Sequence, residues 1–136
     1  MAEILRQLKP YELIDFNNIY HQLLMKAYTY NLWGAAYIIN GGCSDDCFHY
    51  FRSWLISQGK DIFEASLANP EYLAELKLIK QAEFEEFEYV VLEIYEQVTS
   101  EEMPLRESAN LGQPKGENWE EKELKTLFPK LTKKYG

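Results

Sequence analysis

LWGAAYIINGGCSDDCFHYFRSWLISQG, residues 32–59, decides the fold. Its first part, Leu32 to Ile39, is apolar on nearly every side, so periodicity alone does not separate a strand from a helix. Ala and Leu content, length and helical neighbours favour a helix buried all round. Gly34, Ala35 and Ala36 would let a second helix approach closely. Asn40 and the Gly41-Gly42 pair end that helix, because glycine takes the left-handed C-terminal position without steric cost. Ser44 or Asp45 then caps a second helix over about 46–58, with Phe48, Phe51, Trp54 and Leu55 inward and Gly59 as its stop. The result is a central helical hairpin, residues 29–58, joined by a polar turn.

Outward from the hairpin, the remaining elements also read as helices. Pro10 suits a first helical position, and Leu13, Phe16, Tyr20, Leu23, Leu24 and Ala27 recur at spacings of three and four, which predicts a helix over 11–27. A short turn over 2–8 precedes it. Residues 61–68 form a short helix, Asn69-Pro70 breaks it, and a turn over 71–77 follows. The clearest amphipathic helix is 83–98, with Phe84, Phe87, Val91, Ile94 and Val98 on one stripe and glutamates on the other faces. Residues 99–117 hold Pro104, Gly112, Pro114 and Gly116 and read as a long surface loop. Asn118-Trp119-Glu120-Glu121 resembles a capping box opening a helix that ends at Pro129, and the terminal PKLTKKYG reads as one last basic turn that frays. No period-two alternation supports a sheet. The expectation is an all-α, single compact domain over 1–136, with about six helices packed around the hairpin.

The formal charge of −8 is unevenly placed. Residues 71–102 alone carry ten acids and two bases, whereas 115–136 carry four acids and six bases. Phosphate-driven nucleic-acid binding is disfavoured by that balance. A basic stripe is offered only weakly, at Lys125, Lys130, Lys133 and Lys134. A solvated acidic face is the plain reading of 83–98, and a basic protein partner is the functional one. Residues 1–15 carry charges throughout, so no signal peptide is expected, and no run of about 20 apolar residues predicts a membrane span. The expectation is a cytoplasmic chain whose two cysteines are reduced thiols.

The block LWGAAYIINGGCSDDCFHYFRSWLISQGKDIFEASLANPEYL, residues 32–73, resembles the signature of a bacterial family of unknown function, the DUF4240 type, whose pattern reads close to LWxAAYxINGGCSDDxFxYFRxWLIxQGxxxFExAxxxPxxL. Cys47 and His49 stand at positions this pattern leaves open. Weaker likeness extends upstream through Leu13, Ile14 and Phe16 and downstream through FEYVVLEIYEQVTS, PKGENWEE and FPKL. The resemblance implies an α-helical bacterial domain and carries over no catalytic residue.

The turn and helix start gather the candidate binding residues Asn40, Cys43, Ser44, Asp45, Asp46, His49, Arg52 and Trp54. Structurally they read as a helix stop, a helix cap and an arginine paired with a carboxylate. Functionally they read as a small polar pocket rimmed by Tyr37, Tyr50 and Trp54. Cys43 as a nucleophile gains from the helix terminus and loses to Asp45 and Asp46. Metal binding by Cys43, Asp46, Cys47 and His49 lacks a second ligand pair, so no metal and no cofactor are expected. The Tyr28, Tyr30, Trp33, Tyr37 run suits a core better than a base-stacking platform, since basic residues are scarce around it. The leading expectation is a non-enzymatic interaction or regulatory domain for a protein partner. The alternative is a small-molecule binder or unrecognised enzyme using 40–52.

Overall fold

The structure is a computed structural model and describes residues 6–77, 86–102 and 114–135, with the side chains of 86–88 left aside. The elements in chain order are α1 (Pro10–Lys26), α2 (Tyr30–Ile39), α3 (Asp45–Ser57), α4 (Lys60–Ala68), a 3-10 helix (Pro70–Glu75), α5 (Glu86–Thr99), a second 3-10 turn (Glu121–Glu123), α6 (Leu124–Leu127) and α7 (Pro129–Tyr135). Among the described residues there is no strand. One isolated parallel bridge joins Thr29 to Lys115. The fold is all-α. The helices expected over 2–8 and 83–98 fall partly outside the described residues, as does most of the 99–117 loop.

Local chemistry sets the helix ends. Pro10 occupies the first position of α1, and the Lys9 N–H is held by the Glu12 carboxylate at 2.9 Å. The Thr29 hydroxyl caps α2 by accepting from the Leu32 N–H at 3.1 Å. Helix α2 is less enclosed than its apolar sequence predicts. Leu32, Gly34, Ala35 and Ala36 are buried, whereas Trp33, Tyr37, Ile38 and Ile39 are partly exposed.

The main core joins α2 and α3 to the C-terminal segment. Leu32, Ala35, Ala36, Phe48, Phe51 and Leu55 pack with Phe63, Leu73, Leu124, Phe128 and Leu131. A second cluster seats α5 on α1 through Leu13, Val91, Ile94 and Tyr95. Tyr20 and Leu24 carry α1 against α3, and the Tyr20 hydroxyl is hydrogen-bonded to that of Ser53. The close approach expected at Gly34 is made by the C-terminal segment. A Cβ there would lie 2.9 Å from Phe128 Cε2, 3.0 Å from Leu124 Cδ2 and 3.1 Å from Trp119 Nε1.

Two expectations for the C-terminal segment are corrected. The cap is Glu120 rather than Asn118: the Glu123 carboxylate accepts the Glu120 N–H at 3.0 Å, and the chain enters α6 through a 3-10 turn. The last residues form a docked helix rather than a frayed turn. The Glu71 carboxylate accepts the Lys130 N–H at 3.1 Å and the Leu131 N–H at 3.0 Å, while Lys134 Nζ donates to the Ala74 carbonyl at 3.1 Å and to that of Leu76. Each helix end thus receives a charge of the sign its dipole favours, from a residue distant in sequence. Leu131 is fully buried.

Candidate functional site

The turn between α2 and α3 is built as its residue types dictate. The Asn40 N–H donates to the Ala36 carbonyl at 2.9 Å, and the Gly42 N–H to that of Tyr37 at 2.7 Å, which closes α2. Gly41 and Gly42 take φ of 68° and 117°, a region where a side chain would be strained. Ser44 is the cap of α3, and its hydroxyl accepts from the Cys47 N–H at 3.2 Å. Asp45 and Asp46 follow in the first turn, exposed, where carboxylates complement the positive end of the helix dipole.

Cys43 and Cys47 are joined by a disulfide, with Cα atoms 5.2 Å apart. This corrects the expectation of reduced thiols, which rested on compartment rather than on spacing. Cys43 precedes the cap and Cys47 sits three residues past it, one helical turn later, so both side chains meet on one side of the helix start. The Asn40 side-chain amide donates to the Cys47 sulfur at 3.5 Å, and the Trp33 indole N–H donates to the Cys43 carbonyl at 2.9 Å. Among the described residues no three His, Cys, Asp or Glu side chains gather as a metal cluster.

Beneath the turn lies an aromatic stack. Trp33 and Phe48 stack at 5.1 Å with 12° between planes, Tyr28 lies 6.0 Å from Phe48, and Phe51 continues the row at 6.4 Å. Arg52 is buried against this stack, its guanidinium carbon 4.5 Å from the Tyr28 ring centre and 4.9 Å from that of Phe48. Nη1 donates to the Leu24 carbonyl at 2.7 Å and Nε to that of Phe48 at 3.4 Å. Burial pulls the guanidinium down to about 10, while Tyr28, Asp45 and Tyr20 act the other way. The Tyr28 hydroxyl donates to Asp45 Oδ1 at 3.2 Å. Its phenol is raised above the ordinary value, first by burial and then by the Asp45 carboxylate, with Arg52 opposing.

Asn40, Cys43, Ser44, Asp45 and Asp46 therefore share one end of the hairpin, with Cys47 added to them. Arg52 lies two turns inward and is enclosed. The Tyr28 ring lies between it and Asp45, packing on the guanidinium while its hydroxyl donates to the carboxylate. His49 is partly exposed and its ring meets that of Tyr50 edge-on at 5.8 Å, while Trp54 tilts against Phe51 at 5.6 Å. Sequence reasoning missed Tyr28 as the link and Leu24 as the acceptor, because both lie outside the 32–59 block and meet it only in three dimensions.

Helix α5 presents a second candidate surface. Tyr89, Glu93 and Glu96 lie at spacings of four and three and are all exposed, opposite buried Val91, Ile94 and Tyr95. Among the described residues the ion pair within 4.0 Å joins Lys122 to Glu120, and no basic group pairs with Glu93 or Glu96. Of the other glutamates expected on this face, Glu83 and Glu85 lie outside the described residues, as do the side chains of Glu86 and Glu88. No described helix is long and apolar enough to cross a membrane.

Comparison with curated proteins and with solved structures returned no match. A family model matches residues 1–97, which include the hairpin, its disulfide-bearing turn and most of α5, and leave out the segment that docks on Gly34. With that share of its length matched, the chain belongs to the family described as Protein of unknown function (DUF4240).

Proposed function

We propose that this protein is a non-enzymatic interaction domain that docks a basic protein partner through the exposed face of α5. The observation that carries this reading is the Tyr89–Glu93–Glu96 stripe. It is an aromatic ring and two carboxylates with no basic partner among the described residues, on a helix whose opposite side is anchored in the core. Such a rigid, charged stripe steers and orients a cationic partner. Glu101 and Glu102, both exposed, extend the negative field past the helix end. The reading assigns no reaction and places the domain in the bacterial cytoplasm. The Asn40, Ser44 and Asp45 side chains of the turn are engaged in capping and in hydrogen bonds, which favours the acidic helix as the recognition surface over a small-molecule site.

The test is capture of partners from the native cell lysate by the wild-type chain and by a charge-reversed chain carrying E93K and E96K. The expected outcome is a partner retained by the wild type, released by moderate salt and lost on reversal. A partner set unchanged by the reversal would sink the reading.

A further inference from the structure

We propose that Cys43 and Cys47 form a reversible thiol–disulfide site, opened and closed by exchange with low-molecular-weight thiols, whose state is transmitted to the aromatic stack through Trp33. A bond that serves as a structural staple joins segments distant in the chain, where it removes most freedom from the unfolded state. Here four positions separate the two sulfurs. The helix start they flank is already closed by the Ser44 hydroxyl on the Cys47 N–H and by the Phe48 N–H on the Ser44 carbonyl at 2.8 Å. Bond and cap hold the same turn, so the fold tolerates the pair in either state. Both cysteines are partly exposed, and the residues between them are exposed. An attacking thiolate therefore reaches the pair from solvent.

The surroundings distinguish the two sulfurs. Cys47 lies in the first turn of α3, where helix amides stabilise a thiolate, and its sulfur already accepts from the Asn40 amide. The Asp45 and Asp46 carboxylates oppose that charge at both cysteines. Cys47 is thus the better leaving group. A thiolate attacks the Cys43 sulfur, the S–S bond breaks, and Cys47 departs as thiolate, leaving a mixed disulfide on Cys43. A second thiolate attacks the incoming sulfur of that mixed disulfide and frees Cys43. The protein disulfide gains two electrons, two external thiols become one external disulfide, and both cysteines take protons from water. The Cys43 carbonyl accepts from the Trp33 indole, which stacks on Phe48, so a change at Cys43 shifts the ring row that packs Arg52.

The full chain is equilibrated in glutathione buffers from fully reduced to fully oxidised. Free thiols are trapped with iodoacetamide and counted by mass, and near-ultraviolet circular dichroism is recorded on the same samples. The expected result is a reversible passage between no labelled and two labelled cysteines, with an aromatic signal that moves in parallel. That signal change disappears in Cys43→Ser and in Trp33→Phe. Cys47→Ser is expected to accumulate one glutathione adduct on Cys43. Serine is close in size to cysteine and keeps the cap, so the two serine variants retain the fold. Two labelled thiols at every ratio would overturn the proposal. So would a bond that excess glutathione leaves intact, or an aromatic signal indifferent to the redox state.

Discussion

Arg52 Nη1 donates to the Leu24 carbonyl at 2.7 Å, so a residue of α3 terminates α1 from within the core. Leu24 belongs to the last turn of α1, whose carbonyls lack helical partners and carry the negative end of the dipole. The buried cation is compensated there and by the ring faces of Tyr28 and Phe48, with the Asp45 carboxylate adding a more distant favourable field. Replacing Arg52 by Met leaves that carbonyl unpaired and is expected to cost roughly 2–4 kcal/mol. Arg52→Lys retains charge but loses the planar contact with Tyr28 and Phe48, and is expected to cost about 1–2 kcal/mol. Urea unfolding measures both, and a Met variant as stable as wild type would exclude the capping role.

The Tyr28–Asp45 hydrogen bond gives a pH prediction. Folding raises the Tyr28 phenol above 10.0, so its contribution to stability is fully present below pH 10 and is lost as the pH climbs through the raised value. Arg52 runs the other way. Its folded value of about 10 lies below 12.5, so its burial opposes folding most at neutral pH, and that opposition fades above pH 10. Tyrosinate absorbance should show the Tyr28 phenol titrating late, as that of Tyr37 also does, and Asp45→Asn should bring the Tyr28 phenol alone earlier. A titration unchanged by Asp45→Asn would contradict the coupling.

Gly34→Ala probes the seat of the C-terminal segment. The new methyl meets the Phe128 ring at 2.9 Å and Leu124 at 3.0 Å, so the segment must shift outward. Overpacking of this kind is expected to cost about 1–3 kcal/mol. Limited proteolysis should cut within 114–135 sooner than in the wild type.

Glu71→Ala removes the carboxylate that holds the Lys130 and Leu131 amides. The expected loss is about 1 kcal/mol, as for other helix caps. Hydrogen exchange should accelerate at those two amides and remain slow at Phe51 and Leu55, which lie in the core of α3.

These variants also mark where sequence reading ends. Gly41-Gly42 and Ser44 were legible because stops and caps act over three or four residues, and Leu13 and Val91 because periodicity marks a buried face. Arg52 was placed in a polar cluster because helical spacing brings it toward Asp45, but its partner lies 28 residues back on another helix. Glu71 and Lys130 are 59 residues apart, so neither carried a local signal, and Pro129 read as a helix end although it begins α7. The cysteine pair had the spacing of one helical turn. The expectation of reduced thiols rests on compartment alone and is blind to that geometry.

The docking of residues 114–135 on Gly34 bears on how the chain is made. Until Trp119, Leu124 and Phe128 have left the ribosome, the Gly34 face of α2 lacks the side chains that pack on it. A nascent chain that has completed α5 thus presents an uncovered apolar helix face, the kind of surface that chaperones hold and neighbouring nascent chains stick to. Any translation pause before Phe128 has left the ribosome would prolong that interval.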